Sequence, residues 1–92
     1  MTLSELISDF RQKMSRLGII MNPRNLTELK SYVKTQNLFF DISEHMGSFK
    51  TFICDRFSSI SKTHRTYEDA LKHVFTTMFD KIKETHETSA DD

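Results

Sequence analysis

Apolar residues recur at alternating spacings of three and four along most of this 92-residue chain. This spacing places side chains on one face of an α-helix, so it constrains the fold more than any other feature of the sequence. The clearest stripe lies near the N-terminus, between a capping box of Thr2 and Glu5 and the helix-ending residue Gly18. It predicts a helix over about residues 3–17. The stripe consists of Leu3, Ile7, Phe10, Met14 and Leu17.

A second and a last helix are predicted from their N-terminal signals. Asn22 can cap a helix, and Pro23 fits the first helical position because the N–H that it lacks would be unpaired there. This pair predicts a helix over about residues 23–36. Thr66 starts the last periodic segment, whose apolar face is broad enough for several neighbours, and predicts a helix over about residues 66–85.

The middle of the chain carries the longest stripe, which runs from Ile42 to Ile60 and predicts a third helix over about residues 41–61. Gly47 lies inside that stripe. A glycine within a helix costs about 1 kcal/mol relative to alanine, so Gly47 is the place where this helix can break. The stripe consists of Ile42, Met46, Phe49, Ile53, Phe57 and Ile60.

Together the four segments predict an all-α fold, a compact four-helix bundle-like domain. The sequence shows no period-two alternation of apolar residues and no Asn-Gly hairpin signal, so no strand is predicted. One domain is expected, over residues 1–87, because 92 residues are too few for two buried cores. The polar residues 88–92 are predicted to form a disordered acidic tail.

Cysteine content and the lengths of the apolar runs bear on the compartment. Cys54 is the single cysteine, so the chain cannot form an intrachain disulfide. Glu5 stands where a signal peptide would have basic residues. No apolar run exceeds three residues, against the roughly 20 that a membrane span needs. We expect a cytoplasmic protein that has no membrane partner.

Catalytic and metal-binding motifs are not found in the sequence. The four histidines include no pair spaced to share a metal ion on a helix, and there is no second cysteine. No glycine-rich phosphate loop and no nucleophile elbow is present. We therefore expect no enzyme activity, no catalytic or metal-binding residues, no cofactor and no small-molecule substrate.

Phenylalanine content suggests how the protein could act. Five of the eight phenylalanines exceed what the helix stripes need, and they are candidates for an apolar surface that binds a partner. The main hypothesis is a small helical protein-interaction or regulatory protein that docks on another macromolecule, either a protein partner or a second copy in a homodimer. The five candidates are Phe39, Phe40, Phe52, Phe75 and Phe79.

The alternative hypothesis is a helix-turn-helix DNA-binding transcriptional regulator that uses residues 41–60. Gly47 would supply the turn, and the segment after it would be the recognition helix. Residues 11–65 carry ten Lys and Arg against four Asp and Glu, within a chain of zero formal net charge, which suits an anionic partner. The candidate nucleic-acid contacts are Lys50, Thr51, Arg56, Lys62 and Arg65.

Overall fold

Three helices and three strands make up the part of the chain that the structure, a computed structural model, describes: residues 2–90, with side chains over residues 2–86. The strands form one antiparallel sheet in the order β1-β2-β3. The fold is therefore α+β, and the predicted all-α four-helix bundle is wrong. The elements are α1 (Leu3–Arg16), α2 (Leu26–Thr35), β1 (Phe39–His45), β2 (Ser48–Cys54), β3 (Ser59–His64) and α3 (Tyr67–Ala90).

The predicted third helix is instead a β-hairpin followed by a third strand. Met46 and Gly47 have φ angles of 52° and 81°, so both central residues of the turn adopt positive φ. Two such residues form the two-residue hairpin turn whose twist matches antiparallel strands. The predicted helix over 41–61 is wrong, and with it the helix-turn-helix over 41–60. Gly47 does make a turn, but between two strands.

The helical stripe in this segment does not describe its buried face. Met46 and Phe57 are 91% and 92% exposed, although the stripe would bury both. The true period is two, because Phe40 on β1 and Thr51 and Ile53 on β2 are all fully buried. Threonine at an inward position conceals this alternation in the sequence, while β-branched and aromatic residues favour the strand.

Side-chain caps start α1 and α2, and a left-handed glycine follows the end of α1. Thr2 accepts a hydrogen bond from the Glu5 N–H at 3.2 Å, and Gly18 follows the helix with φ 82°. Helix α2 begins at Leu26, because Asn25 rather than Asn22 is its cap: Asn25 Oδ1 accepts from the Glu28 N–H at 2.9 Å. The predicted start of this helix at Pro23 is wrong.

Helix α3 starts where Thr66 accepts a hydrogen bond from the Asp69 N–H at 3.1 Å, and it ends at Ala90. The predicted acidic tail over 88–92 includes Asp91 and Asp92, which lie outside the described residues. The disorder of that tail therefore stays a prediction.

One hydrophobic core lies between the helices and the sheet. Helix α2 packs beside β1, α3 packs against β2 and β3, and α1 packs against α3. The side of the sheet that these helices cover is its inner face. Phe10 and Phe75 join α1 to α3, with ring centroids 5.6 Å apart. Burying each such side chain stabilises the fold by about 1.5–3 kcal/mol. The largest fully buried side chains are Phe10, Phe40, Met14, Leu29, Ile53, Met78, Val33, Val74 and Thr51.

Candidate interaction surface

The opposite side of the sheet, its outer face, is not covered by any described helix. Alternation along each strand sends every second side chain to this face. Most of these side chains are polar, as expected for a solvated surface, but Phe39 and Phe52 are aromatic. The outer face consists of Phe39, Asp41, Ser43 and His45 on β1, Ser48, Lys50, Phe52 and Cys54 on β2, and Ser59, Ser61 and Thr63 on β3.

Phe39 and Phe52 form an exposed aromatic pair on the outer face. Their ring centroids are 6.2 Å apart and their planes are nearly edge to face. Phe39 lies opposite Cys54 in the β1–β2 register, so Phe52 is its diagonal neighbour. The two rings remain 42% and 37% exposed. Pairing therefore orients the rings without removing them from water.

Of the five phenylalanines predicted to bind a partner, the structure brings only these two together on an open surface. Phe40 and Phe75 are buried in the core, at 0% and 5% exposure. Phe79 is partly buried against the core, and the Lys13 ammonium lies 5.8 Å from its ring centroid.

The loop between β2 and β3 is held in place by Asp55. Oδ1 of Asp55 accepts hydrogen bonds from the backbone N–H groups of Phe57 and Ser58, both at 2.8 Å. Its Oδ2 accepts from the Lys81 ammonium on α3 at 2.7 Å. The Lys81 bond and the two N–H bonds together hold the pKa of the Asp55 carboxyl well below its usual range. One carboxylate thus fixes the loop internally and ties it to α3.

This anchored loop displays Arg56 and Phe57 to solvent. Phe57 is 92% exposed, and its ring contacts no other aromatic ring among the described side chains. Arg56 makes no ion pair with any described carboxylate. A bulky apolar side chain held in water on an ordered loop contributes little to folding.

Three exposed apolar side chains, Phe39, Phe52 and Phe57, lie at this end of the sheet. The register places Phe39, Cys54 and Ser59 in one row next to the loop, on the outer face. Ile60, which is 47% exposed, is in the next row and faces the other side of the sheet. Phe52 lies on the outer face, diagonally next to Phe39. We call this cluster the loop-end surface, and it consists of Phe39, Phe52, Arg56 and Phe57.

A cavity of about 370 Å³ adjoins the loop-end surface. It lies between the turn that ends α2, the β2–β3 loop and α3. Leu38 supplies a buried apolar wall, and the Asp55–Lys81 pair lies at its side. The lining residues also include Gln36, Asn37, Arg56, Phe57, Glu84 and Thr85.

The residues predicted to contact nucleic acid do not form one surface. Thr51 is fully buried, and its hydroxyl lies 3.3 Å from His64 Nε2. Lys50 lies on the outer face of the sheet. Lys62 lies on the inner face, on the edge strand β3. Arg56 is in the loop at one end of the sheet. Arg65 follows β3 at the other end.

A pair of histidines joins the inner face of the sheet to α3. The ring centroids of His64 on β3 and His73 on α3 are 5.0 Å apart. His73 Nε2 is buried and has no hydrogen-bond partner among the described residues. Burial lowers the pKa of His73, and the nearby charges of His64 and Lys62 lower it further. This environment favours the neutral imidazole.

The described residues hold no group of three or more His, Cys, Asp or Glu side chains placed to bind one metal ion. Cys54, the single thiol, is half-buried at the end of β2, opposite Phe39. Within the described range, no helix is long and apolar enough to cross a membrane.

Sequence reasoning missed the Asp55–Lys81 pair and the loop that it anchors. Asp55 followed three residues later by Ser58 is a recognisable turn signal, because a short carboxylate can accept hydrogen bonds from N–H groups two and three residues ahead. No local pattern could have indicated Lys81, which is 26 residues away in sequence.

Comparisons with protein-family models, with curated proteins and with solved structures gave no significant match.

Proposed function

We propose that this protein is a non-enzymatic binding module that docks a protein partner on its loop-end surface. The observation that carries the proposal is the clustering of three exposed aromatic side chains, Phe39, Phe52 and Phe57, at one end of the sheet. Single exposed apolar residues are normal on protein surfaces, but clustered ones mark sites of interaction. The proposal keeps the docking role expected from the sequence and moves it from helices to the sheet.

The anchored loop supports this proposal because it is already ordered before a partner binds. Ordering a loop when a partner binds reduces affinity, because conformational freedom is lost at that moment. Asp55 already orders this loop in the free protein through two N–H bonds and the Lys81 ion pair. Phe57 and Arg56 are therefore presented in a fixed geometry. Aromatic and arginine side chains in such positions contribute much of the binding energy at interfaces.

A protein suits the loop-end surface better than nucleic acid does. Aromatic residues and arginine are enriched at protein interfaces, and lysine is depleted. Arg56 is the one cation within the surface, and the other candidate cations, Lys50, Lys62 and Arg65, are spread over a face, an edge and the far end of the sheet. Phosphate binding requires several cations along one track.

The test is affinity capture from an extract of the source organism, followed by binding measurements with the purified partner. Wild-type protein is compared with the triple variant Phe39→Ser/Phe52→Ser/Phe57→Ser. We expect the triple variant to bind the captured partner at least tenfold more weakly, because its apolar contacts are removed. Unchanged affinity of the triple variant would refute the proposal.

A matched control removes exposed apolar area elsewhere. Ile20 and Met46 are 77% and 91% exposed and lie away from the loop-end surface. The variant Ile20→Ser/Met46→Ser should keep wild-type affinity for the captured partner. Equal loss in both variants would show that general surface hydrophobicity, rather than this surface, governs binding.

A further inference from the structure

We infer that the free edge of β3 takes an extended segment of the protein partner as a fourth strand, and that this segment carries an apolar residue and a carboxylate two positions apart. The inference rests on the proposed protein-binding function and specifies how the partner binds. It concerns the main chain of β3 and two of its side chains, Ile60 and Lys62.

The β3 edge is open along its length. Residues 59–63 are all exposed, and no described backbone hydrogen bond joins β3 to an element other than β2. The pairing with β2 is continuous from Ser59 to His64, so no bulge twists the edge away. The strand contains no proline. An edge strand with these properties presents unpaired N–H and C=O groups that can pair with another chain.

The opposite edge of the sheet, at β1, is less accessible. Helix α2 packs beside β1, and Lys30 extends from that helix across the edge. The Lys30 ammonium lies 5.6 Å from the Phe40 ring centroid on the inner face and bonds Asp41 Oδ1 on the outer face at 3.2 Å. A charged side chain lying across an edge hinders strand addition. The β1 edge is therefore covered at Phe40 and Asp41, whereas residues 59–63 of β3 are all exposed, so β3 is the more accessible edge.

Two side chains on β3 define what the added strand should carry. Ile60 and Lys62 are two residues apart and thus point to the same side of the sheet. Ile60 is 47% exposed, and Lys62 is exposed and has no described carboxylate partner. Opposite charges and apolar residues placed directly across a strand pair stabilise it. The partner should place an apolar residue opposite Ile60 and Asp or Glu opposite Lys62.

Charge also indicates whether the β3 edge is better matched to a different protein or to a second copy of this chain. Strand β3 contains no Asp or Glu over Ser59–His64. Pairing two copies of β3 would therefore place a neutral residue, a histidine or another Lys62 opposite Lys62, and never a carboxylate. Like charges directly opposite each other destabilise a strand pair. The edge is better matched to a foreign strand.

Short fluorescent peptides serve as the probe in the first experiment. Their cores are Thr-Val-Thr-Glu-Thr and Thr-Glu-Thr-Val-Thr, which cover parallel and antiparallel pairing, and matched peptides have Lys in place of Glu. We expect the Glu peptide of one order to bind at least tenfold more tightly than its Lys counterpart by fluorescence polarisation. Amide hydrogen exchange should slow at residues 59–63 in the complex.

A charge exchange tests the role of Lys62. The variant Lys62→Glu should reverse the preference, so that the Lys peptide binds more tightly than the Glu peptide. Lys50→Glu makes the same charge change on the outer face of the middle strand and should leave the preference for Glu intact. Absence of binding by both Glu peptides at millimolar concentration would overturn the inference, as would a preference unaffected by Lys62→Glu.

Two further outcomes separate this inference from the proposed function. If the captured partner loses affinity for Phe39→Ser/Phe52→Ser/Phe57→Ser but the peptides do not bind, the docking function stands and strand addition is refuted. If sizing shows a dimer that Lys62→Glu strengthens or weakens, a second copy occupies the edge, and the inferred foreign strand is wrong.

Discussion

At the residue scale, Asp55 joins parts of the molecule that are 26 residues apart in sequence. It is three-quarters buried at 24% exposure, and Lys81 at 18% exposure is its ion-pair partner. The pair connects the loop that displays Phe57 to the helix that closes the core. Its charge state therefore affects both the stability and the geometry of the loop-end surface.

Replacing Asp55 by asparagine should destabilise the protein at neutral pH. Asp55→Asn keeps an acceptor for the backbone N–H groups but leaves Lys81 without its counter-charge. Because folding lowers the pKa of Asp55, its contribution is present above the unfolded value of about 4 and disappears as the pH falls below that value. Urea unfolding should show a difference between variant and wild type at pH 7 that shrinks in acid.

Asp41→Asn is a suitable control for that experiment. Asp41 also bonds a lysine, Lys30, but its side chain is 53% exposed and solvent screens the pair. Its replacement should change the free energy of unfolding by less than Asp55→Asn does. An equal effect of the two changes would contradict the structural role given to Asp55.

His73 should make stability depend on pH near neutrality, rather than in acid as Asp55 does. Folding lowers the pKa of His73, so the unfolded chain binds a proton more readily below its ordinary value of about 6.5. The free energy of unfolding should fall as the pH drops through that value. His73→Phe should reduce this slope, measured by thermal unfolding between pH 5 and pH 8; an unchanged slope would contradict the buried, neutral His73.

At the scale of elements, the two-residue turn at Met46-Gly47 joins β1 and β2 into a hairpin. Met46 adopts φ 52°, a left-handed conformation that costs a non-glycine residue about 1–2 kcal/mol. Asparagine tolerates this conformation better and is the residue usually found there. Methionine in its place removed the one signal that identifies a hairpin from sequence.

Met46→Asn should therefore stabilise the protein, by about 0.5–1 kcal/mol in urea unfolding. Met46→Val should destabilise it, because β-branched residues are poorly suited to positive φ. Gly47→Ala should also destabilise it, since Gly47 has φ 81°, although no described atom beyond its two chain neighbours lies within 4 Å of an added Cβ. Stabilisation by valine would show that the turn adopts another conformation.

At the scale of the whole molecule, residues next to each other on a strand can be one buried and one exposed, because successive side chains point to opposite faces of the sheet. Phe40 is fully buried and Phe39 is 42% exposed. Phe40→Ala should cost about 3–5 kcal/mol, as for other buried aromatic side chains, while Phe39→Ala should cost less than about 1 kcal/mol. Circular dichroism melts of the two variants measure this difference. Similar costs at both positions would contradict the strand.

The sequence predicted helices in the N-terminal and C-terminal parts of the chain, where caps and periodicity agree. Thr2 and Thr66 both act as caps, and local signals of this kind depend only on residues nearby. The middle of the chain was misread because Ile42, Phe49, Ile53 and Ile60 fit a helical period by coincidence. The sheet that contains them is stabilised by pairing between strands and by packing under α3, which are not local.

The candidate site was predictable only in part, for the same reason. Phe39 and Phe52 could be singled out by type, but only the strand register shows that they adjoin each other and that Phe40 does not join them. The exposure of Phe57 follows from a loop whose anchor lies on another element. Chemistry that depends on residues far apart in sequence becomes visible only when the chain is folded.

The two-residue turn at Met46-Gly47 also restricts how this protein can change over generations. Adding one residue there would shift β1 against β2 and exchange the two sides of a strand, which would send Phe39 inward and Phe40 outward. Adding two residues would leave each strand residue on its present face of the sheet. Insertions and deletions at this turn should therefore survive in even numbers, and a homologue whose turn is longer by one residue should carry a compensating bulge.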